Sequence, residues 1–283
     1  MTVFLNGDFV APEAAKISVF DRGFIFGDGI YELIPVYAGK PFRLDEHLQR
    51  MENGLAAIRI TNPYSREEWK RHISKLLDEH PGEQLSVYIQ VTRGVAPRDH
   101  VFPVPAPVPT VLISVSPLPQ PSQSTREDGV KAVSHIDIRW DRCDIKAVSL
   151  LANVLLRQHA VDQGVAETIL IRDGMLTEGS TTTVFIVKDG VIAVPPLSHF
   201  MLPGITYDVL LELAKHHGAP CEVRPISEAE LHAADEIWLA SSSKEVLAVV
   251  ELDGKPVGDG RVGPVQRKMF AWYQDFKSEL IAS

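Results

Sequence analysis

The sequence predicts an α/β (α+β) chain of two domains, with mostly antiparallel sheets flanked by helices. Three observations carry this reading. Short apolar, β-branched runs are joined by Asn-Gly at 6–7 and by Asp-Gly at 173–174 and 189–190, the strongest local hairpin signal. Other segments repeat apolar residues every three or four positions, as amphipathic helices require. Eight of the 20 prolines crowd between Pro97 and Pro121, a composition shift that marks a boundary in a chain of 283 residues. At about 150 residues per domain, that length suits two domains. The expected limits are 1–116 for a small N-terminal domain, 117–125 for a semi-rigid Pro-rich linker and 126–283 for a larger C-terminal domain.

The elements follow in order. "VFLNGDFV" (3–10) is a hairpin about Asn6-Gly7, and "YELIPVYAGKPFR" (31–43) is another about Ala38-Gly39-Lys40. From Asp45, a helix places Leu48, Met51, Leu55 and Ile58 on one stripe and leaves Arg50 on the polar face. Ser65 and Glu68 form a capping box that opens "REEWKRHISKLLDEH", and "QLSVYIQVTRG" is a strand. The proline-rich stretch holds one short strand, "TVLISVS", and ends in "SPLPQPSQST" (116–125), whose prolines exclude a helix. The second half opens with the strand "GVKAVSHIDI", followed by a helix from about Ser149 to Gly164. "ETILIRDGMLTEGSTTTVFIVKDGVIAV" supplies strands joined at the two Asp-Gly turns. Helices are expected at 205–217, stopped by Gly218, at 227–233, capped by Ser227 with Glu230, and at 264–281, with strands "EIWLAS" and "VLAVVELDGKPV" between them.

Composition excludes several function classes. Net charge is −9 and no Lys/Arg run is interleaved with aromatics, so neither nucleic acid nor an anionic membrane is an expected partner. Small-molecule chemistry fits better. The two cysteines, Cys143 and Cys221, have no metal-type spacing, which argues against a disulfide scaffold and against a thiolate metal site. Neither a GxGxxG after a strand nor a P-loop is present. "MTVFLNGDFV" lacks a basic region before a long apolar stretch, and no apolar run approaches ~18 residues, so a cytoplasmic protein is expected. One lysine stands out. In "RWDRCDIKAVSLLANVLLRQ" (139–158), Lys146 lies between a polar strand end and an apolar helical run, where a plain boundary would carry Ala or Ser.

Four stretches, "DRGFIFGDGIYE" (21–32), "VTRGVAPRDH" (91–100), "RWDRCDIKAVSLL" (139–151) and "TEGSTTTVF" (177–185), together resemble the fold-type IV pyridoxal-phosphate enzymes, and within them the D-amino-acid (D-alanine) aminotransferases. The similarity runs in order from about residue 4 to the C-terminal helix. It implies pyridoxal 5'-phosphate as cofactor, with Lys146 as the Schiff-base lysine and as the group that moves the substrate's α-proton. It implies Glu178 as the carboxylate on the ring nitrogen. Arg50, the N–H groups of Ile205 and Thr206 at a helix start, and Ser242 would hold the phosphate. Tyr31, Arg98 and His100 would form a trap for the substrate carboxylate, with the Arg and His supplied by the neighbouring subunit of a homodimer.

The activity so implied is transamination between a D-amino acid and a 2-oxo acid, with D-alanine and 2-oxoglutarate giving pyruvate and D-glutamate. Two departures bear on substrate binding: Asp99 puts an acid between the trap residues, and Thr183 stands where relatives usually carry Asn. Branched-chain L-aminotransferases and aminodeoxychorismate lyases share the lysine and glutamate but are not expected to carry "PRDH". A noncatalytic scaffold would have lost Lys146 or Glu178, and both are present. The preferred D-amino acid and acceptor, the breadth of side chains accepted and the pathway are not legible in the residues.

Overall fold

A computed structural model describes residues 2–282. The chain folds as two compact units: one runs through Leu118 and also includes Ile145–Leu150, and the other comprises Pro119–Asp144 and the chain from Leu151 onward.

The first unit contains β1 (Val3–Leu5), β2 (Asp8–Val10), α1 (Arg22–Phe26), β3 (Gly29–Tyr37), β4 (Lys40–Pro41), α2 (Leu44–Ala57), α3 (Arg66–Asp78), β5 (Gln84–Thr92) and β6 (Thr110–Pro117). Its sheet is wholly antiparallel in the order β2-β1-β6-β5-β3-β4. The hairpins form where the dipeptides place them: Asn6 and Gly7, then Ala38 and Gly39, take positive φ, as a two-residue turn between twisted strands demands. Leu48, Met51 and Leu55 of α2 and Trp69, Ile73 and Leu76 of α3 lie in one core with Phe4, Ile34, Val87, Ile89 and Ile113 of the sheet. Both halves of the Ser65/Glu68 capping box are made. Helix α1 has no counterpart in the sequence reading, because five residues show no periodicity. Its signals are local: the Asp21 side chain accepts from the Gly23 N–H at 2.8 Å, and Gly27 ends the helix at φ 67°.

The second unit contains α4 (Gln123–Asp128), β7 (Val130–Ile136), α5 (Leu151–Asp162), β8 (Glu167–Arg172), β9 (Met175–Gly179), β10 (Thr183–Lys188), β11 (Val191–Val194), α6 (Ile205–His216), β12 (Cys221–Val223), α7 (Glu228–His232), β13 (Glu236–Ser241), β14 (Glu245–Leu252), β15 (Lys255–Pro256) and α8 (Pro264–Ala282). Its sheet is mixed, in the order β12-β11-β10-β13-β14-β7-β8-β9 with β15 on β14. Pairs β11–β12, β14–β7 and β7–β8 are parallel, and the others antiparallel. The expected exclusion of helix from "SPLPQPSQST" is corrected at its end. All its prolines precede Ser122, whose hydroxyl caps α4 by accepting the Thr125 N–H at 3.1 Å. Helix α5 starts at Leu151, two residues beyond the expected Ser149, and Leu151, Val154 and Leu155 are each more than half exposed. Among the described residues, no helix is long and apolar enough to cross a membrane.

Glu245 fastens this unit. Buried at a left-handed φ of 59°, its carboxylate receives Lys277 at 2.7 Å, Gln274 at 2.9 Å, Arg126 at 3.0 Å and Gln120 at 3.2 Å. Glu245→Ala would take the shared carboxylate away from two cations with little solvent access, so it should destabilise the protein by about 3 kcal/mol, read as a lowered denaturant midpoint.

Candidate active site

Lys146 is placed by a sheet edge. Ile145–Leu150 runs beside the start of β3: the Tyr31 N–H donates to the Lys146 carbonyl at 2.9 Å, the Val148 N–H donates to the Gly29 carbonyl at 3.0 Å, and Ala147 bridges Ile30. A Cβ on Gly27 would approach Ser149 Cα to 3.1 Å, so a glycine there admits this segment. Ile145 and Ala147 are core residues, and alternation sends the side chain between them the other way. The Lys146 Nζ therefore lies over the Tyr31 ring, 4.0 Å from its centroid.

Beside Tyr31 on β3 lies Glu32, fully buried. Arg50 holds it with Nε at 2.7 Å and Nη2 at 2.8 Å, and His47 Nδ1 meets it at 2.8 Å. Burial works to raise the Glu32 pKa, but Arg50 and His47 outweigh it and hold the carboxyl at about 2. Burial also pushes the His47 pKa down, so the neutral imidazole donates from Nδ1, and Nε2 is buried without a partner among the described residues. Arg50 is thus an oriented group, not the loosely solvated one its helical position suggests. Glu32 and His47 escaped the sequence reading. The available signal was His47 three residues before Arg50, on the same helical face.

Arg98 and His100 are exposed on the loop after β5 and share one support, the Phe26 ring, at 5.4 Å from the Arg98 Cζ and 5.3 Å from the His100 ring centre. The acid between them serves the loop backbone: the Asp99 carboxylate accepts the Val101 N–H at 3.3 Å, and its carbonyl accepts Arg22 Nη1. Tyr31 lies instead against Lys146 and Tyr88. The first unit therefore pairs Arg98 with His100, and Tyr31 with Lys146.

In the second unit, Glu178 sits buried near the end of β9, ion-paired to Arg139 and reached by the Leu202 N–H at 3.3 Å. Arg139 is itself gripped by Asp137 through two contacts of 2.9 Å. Burial pushes the Glu178 pKa up to about 7, against the pull of Arg139 and Leu202. Ile205 and Thr206 are the buried first residues of α6, whose start at Gly204 has no side-chain cap. Ser242 lies half-buried in the turn between β13 and β14, and Thr183 is buried at the head of β10. The loop between β9 and β10 is organised by Glu167, wholly buried, which accepts the hydroxyls of Ser180, Thr181 and Thr182, the latter two at 3.0 Å, and the Thr168 N–H at 3.0 Å.

Comparison with known proteins places this geometry. A family model described as amino-transferase class IV matches residues 29–252. The chain is 41% identical over 274 residues to a D-alanine aminotransferase of Staphylococcus aureus, covering 97% of each chain. It is 37% identical over 269 residues to that of Bacillus licheniformis, covering 95% of this chain and 94% of the relative. Among solved structures, a T.th. branched-chain amino acid aminotransferase with pyridoxamine 5'-phosphate superposes with a TM-score of 0.89 at 26% identity, over 96% of this chain and 93% of the other. The Escherichia coli branched-chain enzyme superposes at 0.85 and 27% identity, over 95% and 92%. The match spans both sheets and both sets of candidate residues, and the chain belongs to the class IV aminotransferases.

Proposed function

We propose that the protein is a pyridoxal-phosphate-dependent D-amino-acid transaminase that transfers the amino group of D-alanine to 2-oxoglutarate, giving pyruvate and D-glutamate. The observation that carries this is the 41% identity, over nearly the whole chain, to D-alanine aminotransferases, against 26–27% to the branched-chain enzymes whose fold it shares. The side chains present suit the cofactor. A buried carboxylate held up at about 7 would ionise readily beside a ring cation, and a helix start without a side-chain cap suits a phosphate. When bound, the cofactor supplies an electron sink for the bond broken at the substrate's α-carbon.

The chain does the rest. Lys146 anchors the cofactor and carries the α-proton as base and then acid. Glu178 keeps the proton on the ring nitrogen, with Arg139 and Leu202 fixing its orientation. Arg50, aimed by Glu32, together with the N–H groups of Ile205 and Thr206 and the Ser242 hydroxyl, binds the phosphate. Tyr31, Arg98 and His100 receive the substrate carboxylate. A homodimer in which Arg98 and His100 serve the neighbouring subunit fits the exposure of this loop: Val104 and Val108 are 95% and 85% exposed, and Phe24 of α1 is 71% exposed. A cytoplasmic setting suits the free Cys143 and Cys221.

Each enantiomer of alanine, incubated with holoenzyme and 2-oxoglutarate, distinguishes this reading from an L-specific one. D-alanine should react and the glutamate formed should be the D form, whereas faster turnover of L-alanine would overturn the assignment. Arg98→Ala should lower kcat/KM for D-alanine by at least about 30-fold while the cofactor spectrum is unchanged, since a truncated charge partner of a bound carboxylate costs roughly 2–5 kcal/mol.

A further inference from the structure

The loop bearing Arg98 and His100 is held at its root by a charged clamp. Asp28, in the turn between α1 and β3, receives Arg22 Nε at 2.8 Å, Arg93 Nε at 2.7 Å and Arg93 Nη2 at 2.9 Å. The two arginine side chains are only 3% and 7% exposed. Like charges brought so close repel strongly unless a carboxylate lies between them. Each guanidinium carries part of the loop. Arg22 donates to the Asp99 carbonyl and lies 4.8 Å from the Phe26 ring centre, the ring on which Arg98 and His100 rest. Arg93 lies 3.8 Å from the centre of Phe102 and ties down the end of α2 by donating to the carbonyls of Ile58 at 2.7 Å and Arg59 at 3.1 Å. Backbone bonds close the clamp, from the Arg93 N–H to the Asp28 carbonyl at 3.0 Å and from the Arg22 N–H to the Gly94 carbonyl at 2.9 Å.

We propose that Asp28 is a positioning residue for carboxylate recognition: by gathering Arg22 and Arg93 it sets the placement of the Arg98–His100 pair, and with it the affinity for amino acid and 2-oxo acid alike. This rests on the reading of that pair as the carboxylate-binding group. The action of Asp28 runs through Arg22, against the Phe26 ring that supports Arg98 and His100, and through Arg93, against Phe102 of the loop itself.

The test compares Asp28→Asn, Asp28→Glu, Arg98→Ala and the double variant Asp28→Asn/Arg98→Ala as holoenzymes. Asp28→Asn should raise KM for both D-alanine and 2-oxoglutarate by about 10- to 30-fold, with kcat within about three-fold of the parent and the cofactor absorption unchanged. Asp28→Glu should recover part of the affinity. In the Arg98→Ala background, Asp28→Asn should add less than about four-fold, because only His100 of the pair is then left for it to place. A parent-like KM in Asp28→Asn, a fall confined to kcat, or full multiplicative effects in the double variant would overturn the proposal. If Arg98→Ala leaves KM unchanged, the carboxylate-binding reading itself fails, an outcome distinct from one in which only the Asp28 variants are silent. Should Asp28→Asn not fold, Arg22→Lys decides: it keeps a cation for Asp28 but lacks the fork that serves Asp28 and Asp99 together. A KM raised by about 10-fold supports the clamp, and an unchanged KM refutes it.

Discussion

Lys146→Ala should lower D-alanine turnover by at least about 10⁴-fold, because in the proposed mechanism both the anchoring of the cofactor and the proton transfer at the α-carbon leave with one amine. Folding should survive. The backbone of this segment is secured by the Tyr31 and Val148 hydrogen bonds and by the burial of Ile145 and Ala147, none of which involves the lysine side chain. Circular dichroism and melting of the cofactor-free variant should therefore match the cofactor-free parent, while single-turnover assays of the loaded proteins show the loss. Borohydride reduction of the parent holoenzyme followed by peptide mapping gives an independent check. The label should fall in the peptide containing Lys146, and a label on another lysine would sink the assignment.

Glu178→Gln should lower kcat/KM by about 10²–10³-fold, the loss expected when a preorganised charge facing a developing one is removed. Gln is a better test than Lys here: a lysine would set a second cation against buried Arg139 and endanger folding, whereas the amide keeps the shape and leaves Asp137 to pair the guanidinium. The raised pKa also makes a prediction for the cofactor-free protein. The folded-state value of about 7 lies above the ordinary 4.5, so the contribution of a neutral Glu178 to stability is fully present below 4.5 and is lost as pH rises through about 7. Melting temperatures between about pH 5 and 8 should fall more steeply in the parent than in Glu178→Gln. Parallel profiles would mean that another group titrates.

What the sequence disclosed depended on how local each determinant is. The Asn6-Gly7 hairpin and the Ser65 capping box are written in two to four residues, and both formed as read. Leu48, Met51 and Leu55 repeat often enough to define a buried face. Helix α1 is too short for periodicity to register, and α4 was hidden because its prolines end immediately before its cap. The proposed site residues came from the family resemblance, whereas the groups that hold them were not read from the sequence at all. Glu32 meets His47 and Arg50 from 15 and 18 positions away, and Asp28 meets Arg93 from 65, separations at which no propensity or spacing rule operates. Asp99 read as an anomaly because its role, accepting a backbone N–H two residues on and lending its carbonyl to Arg22, depends on how the loop closes.

The grip of Glu167 on its loop has a directional effect. A hydroxyl owns a single hydrogen, and those of Ser180, Thr181 and Thr182 are all given inward to one carboxylate. What these groups can show to anything else is lone pairs. The loop after Glu178 is therefore electron-rich in character despite its run of alcohols, and it behaves accordingly: the side chain that meets it from the turn before β14 is a cation, Lys244, whose ammonium approaches the Thr181 oxygen at 3.4 Å. An anion arriving there would find the Ser180, Thr181 and Thr182 hydroxyls turned away and would have to rely on peptide N–H groups or on the Lys244 ammonium, so the chemistry of this stretch follows from the polarity of its hydrogen bonds more than from the names of its residues.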